Sequence, residues 1–525
     1  MSRLRSSITG GAGWWICLLV LIVTGWPALL AGDHEFIVSF TDDTFYYLVV
    51  ARHVARGDGF TFDGLHPTNG FQPLWLFALV PIFWLVPGEV PPLRALIAVQ
   101  SILFGAGAVL LWKILRSRLP PASAAAVPLL LIGLPGTSAL WLGMESALFF
   151  VLLIATWAAW LRLETRGTTL PADWALLGGC CALLFLARLE GGAALPVVLL
   201  LAYRRIRSAP RPLAALASLL APAAIVWSAY LTWNIFAFGT WLPISGVVKT
   251  LWVSRQTLSE RLLSLIDFPW AGGFLLERAF TGRLAAFAMV VSWLLFFGAA
   301  AAALYYRKAV MRAVREADSL FVVLTCAIIA LVDHVVVGAY LAEWALIPIQ
   351  LLTAMAIGLA AGRIRHAGAA VLVIALLLSA ARIPAHARKA ERWDDSFTGR
   401  SLILAEWIRD HTPPGARVAT VFAGVLGYFS GRTVINLDGL VNSVDYYERV
   451  LLGEEWESYL SAEGIDHLAH VGCADREPVL RMLDYFGKQS SDIGQYALAH
   501  LERDPSQPEG CGLLLFAVDW NRDGA

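Results

Sequence analysis

Apolar runs of roughly 20 residues recur along this chain, each long enough to cross a hydrocarbon core of about 30 Å as a helix. Nothing else in the sequence constrains the fold so tightly. In lipid, backbone polar groups must be satisfied internally, so such runs form membrane-spanning helices. The candidate spans are Trp14–Leu30, Leu93–Leu115, Ala122–Leu142, Ala147–Leu161, Trp174–Ala187, Gly191–Tyr203, Leu213–Trp233, Leu284–Tyr306, Leu320–Val337, Tyr340–Ala361 and Ala367–Ile383. Composition agrees: of 525 residues only 15% are charged, against about 25% in soluble domains. Basic and acidic residues number 40 each, so no global field steers a ligand and any charge selectivity is local. Nucleic-acid binding, a disordered scaffold and a disulfide-dense secreted module are excluded. The six cysteines form no zinc pattern, and Cys17, Cys180, Cys181 and Cys326 read as small side chains buried in apolar runs.

The basic residues orient the chain. Arg3, Arg5, Lys113, Arg116, Arg118, Arg162 and Arg166 fall in one set of loops. Arg204, Arg205, Arg207, Arg211, Arg307, Lys308, Arg312, Arg315, Arg363 and Arg365 continue the same set. The opposite turns around Glu145 and Gly338 carry none. The first run lacks a convincing cleavage site and is read as an uncleaved span with a cytoplasmic N-terminus. Residues 32–92, 234–283 and the tail from 384 then face outward, in a plasma (inner) membrane. Leu74–Val86, bracketed by Pro73 and Pro87, is too short to span and is expected as a half-helix. The Trp174–Tyr203 pair, with Arg188 and Glu190 at its apex, is either two short spans or a broken hairpin.

The expected fold is therefore a polytopic α-helical membrane domain, residues 1–383, followed by an extracytoplasmic α/β domain, residues 384–525. In that tail, helix-like stretches (Ser401–His411, Tyr446–Leu460, Glu477–Gly487) alternate with β-prone runs (Arg417–Val421, Thr433–Asn436, His467–Val471, Leu513–Val518). Such alternation predicts a partly parallel sheet. No Gly-rich phosphate loop follows a strand.

The first outward loop is the most informative stretch. Thr41 or Asp42 can cap a helix that begins near Asp43 and ends at Gly57. Arg52, His53 and Arg56 share one face of it and Phe45, Leu48 and Val49 another, a pattern for a helix in the membrane interface. Arg52 and Arg56 are expected to face lipid headgroups. Two adjacent carboxylates at a helix start also occur simply because they satisfy free N–H groups.

F-T-D-D-T-F-Y-Y-L-V-V-A-R-H-V-A-R-G-D-G-F-T-F-D-G, followed by P-T-N-G-F-Q-P-L-W, resembles the first external loop of GT-C glycosyltransferases, which use polyprenyl-phosphate-linked sugars. W-L-G-M-E (Trp141–Glu145), A-R-L-E (Ala187–Glu190), F-G-T-W-L-P-I-S-G-V-V-K (Phe238–Lys249) and N-L-D-G-L-V-N-S (Asn436–Ser443) extend the resemblance over most of the chain. It resembles the protein mannosyltransferase, aminoarabinose transferase and arabinofuranosyltransferase group. Better-known relatives carry Asp-Glu where this chain has Asp42-Asp43, and a His-Pro-Pro-Leu-like string at Gln72-Pro73-Leu74. The resemblance implies a carboxylate base in the first loop, best matched by Asp42 with Asp43 close behind, and displacement with inversion. Its partners would be a polyprenyl-phosphate sugar, an acceptor glycan, lipid or protein, and membrane lipid.

A cation must stabilise the departing phosphate, and Arg188 and Lys249 are the candidates; Arg188 could instead pair internally with Glu190, and Lys249 could be merely solvated. Glu145 either lines a cavity or is solvated. His66, Asn69 and Gln72 offer polar groups to a substrate, or serve turn chemistry. Asp333, His334 and Glu343 flank another outward turn too loosely to favour a metal, and no cofactor is expected. Cys473 and Cys511, alone in the tail, are expected to form a disulfide in an oxidising compartment. Two other readings compete with transfer. A transporter or flippase would show paired halves, which are absent from the sequence; a non-catalytic lipid-binding assembly protein would act through the tail.

Overall fold

A computed structural model describes residues 11–133, 142–166, 170–254, 257, 308, 312, 315, 318–332, 346–391, 393–394, 396–453, 456–473, 499–500 and 511–517. The expected span Leu284–Tyr306, the expected helix Glu477–Gly487, and Arg3, Arg5, Trp141, Asp333, His334 and Glu343 lie outside the described residues, as does most of 250–283. Four described helices are long and apolar enough to cross a membrane: Gly13–Leu30, Val90–Leu115, Ser146–Thr165 and Pro212–Phe238. Shorter apolar helices are Pro73–Leu85, Pro121–Gly133, Pro171–Ala187, Leu320–Val332, Ile347–Ala361 and Ala367–Ile383.

The chain divides into two compact units. The first comprises residues 1–29, 97–229 and 250–385. Its interior is filled by Phe104, Phe149, Phe150, Trp157 and Trp174, all fully buried. One hydroxyl pair, Thr24 to Ser101 at 2.8 Å, satisfies its polar groups within that apolar packing. The Trp174–Tyr203 region is a broken helix: Pro171–Ala187 stops at Arg188, whose backbone is extended (φ −157°, ψ 131°), a 3-10 turn covers Leu189–Ala193, and Ala194–Arg207 resumes.

The second unit comprises residues 30–96, 230–249 and 386–525, three segments far apart in sequence. The half-helix is present as Pro73–Leu85, with proline in its first turn where no N–H is needed. The tail builds a five-stranded sheet in the order β2-β1-β3-β5-β4. Its strands are β1 (Arg417–Thr420), β2 (Thr433–Asn436), β3 (His467–Cys473), β4 (Ala499–His500) and β5 (Cys511–Ala517). β1 runs parallel to β2 and β3, while β5 is antiparallel to β3 and to β4. The helix Gly424–Phe429 connects β1 to β2, so the carboxyl ends of two parallel strands open onto one place. In open α/β sheets that end is where ligands bind; here part of it receives the first loop. The expected helix Tyr446–Leu460 is instead three pieces, Val444–Tyr446, a π-helical turn Tyr447–Leu452 and Trp456–Ala462.

Candidate functional site: an acidic cluster where the first loop meets the tail

The Asp42–Arg56 helix starts from Thr41 (φ −88°, ψ 158°) and stops at Gly57, which adopts the left-handed region. Thr41 occupies the cap position, but its hydroxyl meets the Thr44 hydroxyl at 3.1 Å and makes no cap bond to the backbone. Acidic residues in the first turn and basic ones in the last both suit the helix dipole. The expectation of an interfacial helix is corrected: residues 44–51 are buried on every side. Arg52 does not face headgroups. It donates to the Gly427 and Tyr428 carbonyls, each at 3.0 Å, and lies over the Tyr428 ring. The physical reason is that the last turn of the Gly424–Phe429 helix leaves carbonyls without helical partners.

The helix start brings Asp42 and Asp43 into one neighbourhood with Asp438 of the tail. The Asp42 side chain is committed to the tail, accepting from Gly424 N–H at 3.0 Å on one oxygen and from Val425 N–H at 2.9 Å on the other. Asp438, just past β2, accepts from the Tyr46 hydroxyl at 2.7 Å and from Leu440 N–H at 2.8 Å, again one bond per oxygen. Asn436 donates to the Tyr46 oxygen and to the Val421 carbonyl, each at 3.2 Å. Asp43 is half-buried, and none of the described residues donates a hydrogen bond to it.

Burial dominates the electrostatics. It pushes Asp42 up to about 6, against the pull of the Val425 and Gly424 N–H groups and with a further push from Asp43. Asp438 is pushed up to about 7 by burial, opposed by Leu440 N–H and Tyr46 and reinforced by Asp43. Asp43 is raised by burial and pulled back by Lys249. Tyr46 is driven well above its ordinary range by burial and by the three carboxylates. Carboxyl groups with raised proton affinity can take a proton near neutral pH, as a general base must.

The loop string that precedes the half-helix is mostly a fastening. Asn69, 1% exposed, accepts from Ile244 N–H at 2.8 Å and donates to the Leu242 carbonyl at 3.1 Å and to Asn234 at 3.3 Å. Thr68 donates to the Asn442 carbonyl at 2.9 Å. Gly70 passes so close to the tail that an added Cβ would sit 1.9 Å from the Leu440 carbonyl oxygen. His66 bridges Asp63 at 2.7 Å and Glu463 at 3.1 Å. Gln72 stands at the cap of the half-helix with its side-chain oxygen buried and unpartnered among the described residues.

The structure therefore brings Asp42, Asp43 and Lys249 together, and fastens His66 and Asn69 in the same unit. Arg188 and Glu145 belong to the other unit, where they meet each other. Arg188 pairs with Glu190 and, at 3.3 Å, with Glu145, which is 2% exposed. Gln100 holds the turn before Glu145, accepting from Gly143 N–H at 2.7 Å and donating to the Met144 carbonyl. Among the described residues no group of three His, Cys, Asp or Glu side chains could hold a metal ion. Sequence reasoning missed Tyr46 and Asp438; the signal for them was that Tyr46 sits inside F-T-D-D-T-F-Y-Y and Asp438 inside N-L-D-G-L-V-N-S.

Residues 394–470 match a family described as Domain of unknown function (DUF8728). Among curated proteins, none matches this sequence. Solved structures do match. ArnT from Cupriavidus metallidurans bound to undecaprenyl phosphate aligns at 14% identity and a TM-score of 0.51, covering 98% of this chain and 100% of that one. The Archaeoglobus fulgidus oligosaccharyltransferase in complex with Zn and sulfate aligns at 11% identity and a TM-score of 0.52, covering 96% of this chain and 72% of that one. Over nearly its whole length, this chain shares the fold of GT-C glycosyltransferases.

Proposed function

We propose that the protein is an integral membrane glycosyltransferase that moves one sugar from a polyprenyl phosphate to an acceptor hydroxyl outside the cytoplasm. The observation that carries this reading is the carboxylate cluster at the start of the Asp42–Arg56 helix, with Lys249 acting on it, set in a fold shared with a protein bound to undecaprenyl phosphate. In the reaction, the acceptor oxygen bonds to the anomeric carbon as the bond from that carbon to the phosphate oxygen breaks. The bonding pair leaves with the polyprenyl phosphate, and the hydroxyl proton passes to a carboxylate of the Asp42-Asp43 pair. Attack opposite the leaving group inverts the anomeric centre.

A positioned base of this kind contributes about 10²–10⁴-fold. Lys249 is the cation best suited to the charge growing on the phosphate, because the Arg188 guanidinium is already engaged by Glu145 and Glu190. The test is to present full-length protein with undecaprenyl-phosphate-linked glucose, mannose and arabinose, and an alkyl glycoside as acceptor. Release of undecaprenyl phosphate with one of them supports transfer. Facilitated movement of the lipid between leaflets without any release would favour a flippase instead.

A further inference from the structure

Of the three carboxylates in the cluster, two have both oxygens engaged. Asp42 holds the Gly424 and Val425 N–H groups at the start of the tail's short helix. Asp438 holds the Tyr46 hydroxyl and Leu440 N–H. Those bonds aim each carboxylate at protein. They also favour the charged form, so a proton captured there weakens contacts that join the first loop to the tail. Asp42 is further confined because the tail backbone presses on it: an added Cβ at Gly424 would lie 2.1 Å from the Asp42 carbonyl oxygen and 3.0 Å from its carboxyl carbon.

Asp43 is the exception. It lies beside Asp42 at the positive end of the same helix dipole, is half-buried, and carries no hydrogen bond from any described residue. Burial raises its proton affinity, and Lys249 tempers the rise. Among the described residues, the charged or titratable groups around it are Asp42, Tyr46, Asp438 and Lys249.

We propose that Asp43, rather than Asp42, takes the proton from the acceptor hydroxyl, and that Asp42 is the anchor that fastens the first loop to the tail. This rests on the transfer reading and assigns its base. It reverses the expectation from motif position, in which Asp42 matches better, because a carboxylate with both oxygens bonded to backbone is poorly placed to meet a substrate. The two roles predict different variants. Asp43 provides a free acceptor for a proton; Asp42 provides two acceptor oxygens for a folded contact.

The test compares Asp43→Asn, Asp43→Glu and Asp42→Asn in full-length protein, reading undecaprenyl phosphate release against pH and trypsin resistance of the tail. Asp43→Asn should lower turnover by about 10²-fold or more and abolish the acid limb of the pH profile, with trypsin resistance as in wild type. Asp43→Glu should recover part of the turnover and restore an acid limb. Asp42→Asn should loosen the tail to trypsin while its remaining turnover keeps the wild-type acid limb. If Asp43→Asn keeps the acid limb and wild-type turnover, the assignment is overturned, whether or not Asp42→Asn folds. A wild-type protein that releases undecaprenyl phosphate from no donor overturns the transfer reading instead.

Discussion

Asn69 illustrates how a polar residue in the first loop can be structural. Its amide satisfies the Ile244 N–H and the Leu242 carbonyl from a segment about 175 residues later. Asn69→Ala would strand both groups in a buried site, which costs about 1–3 kcal/mol; a fall in thermal midpoint would register it. Gly70→Ala should be worse, since its Cβ would meet a carbonyl oxygen of the backbone that no rotamer change can move aside. Neither residue's role was legible in the sequence, where P-T-N-G reads equally as turn chemistry. Tyr46 and Asp438 were illegible for the same reason: their hydrogen bond joins positions 392 apart, and no local periodicity encodes it. Asp42 and Asp43 were legible, because paired carboxylates at a helix start stand out in an apolar chain.

At the scale of elements, what the sequence announced was whatever is local. Pro73 and the brevity of the run mark the half-helix, Gly57 marks the end of the first-loop helix, and short β-prone runs mark β1 to β3. What it could not announce was packing: Arg52 looks like a headgroup contact until the Gly424–Phe429 helix is seen to offer it carbonyls. The Asp63–His66–Glu463 bridge makes a pH-dependent element. The Asp63 hydrogen bond, opposed by burial, raises His66 above its ordinary value. A raised histidine stabilises fully below pH about 6.5 and loses that contribution as pH climbs through its folded value. His66→Ala should therefore cost about 2 kcal/mol at pH 5.5 and progressively less in alkaline buffer, read as the difference in thermal midpoint between variant and wild type. The antiparallel register of β3 and β5 sets Cys473 opposite Cys511. Facing Cα atoms in such a ladder are about 4.5–5.5 Å apart, within the reach of a disulfide, about 4.4–6.8 Å. We expect that bond, contributing about 3–4 kcal/mol in the chain-entropy view; recovery of both peptides as free thiols after alkylation without reduction would exclude it.

At the scale of the whole molecule, residues 30–96 and 386–525 share one compact unit, and we expect the first loop and the tail to occupy the same side of the membrane. Basic residues fall in the other expected set of loops, so by the positive-inside rule we expect the shared side to be the outside. A phosphatase that works only outside the cytoplasm should be active when fused after Ala525; an inactive but stable fusion would reverse the orientation. The hydrogen bonds between the first loop and the tail join residues 339 to 397 positions apart, from Tyr428 with Glu89 to His66 with Glu463. At about 5–20 residues per second of synthesis, the first loop leaves the ribosome roughly 20–80 s before its partners. For that interval Phe45, Leu48 and the rest of its buried face have no tail to cover them. Assembly of the site is thus an event of late synthesis: nascent chains halted before Gly424 should expose the first loop to protease, and chains released beyond Glu463 should protect it.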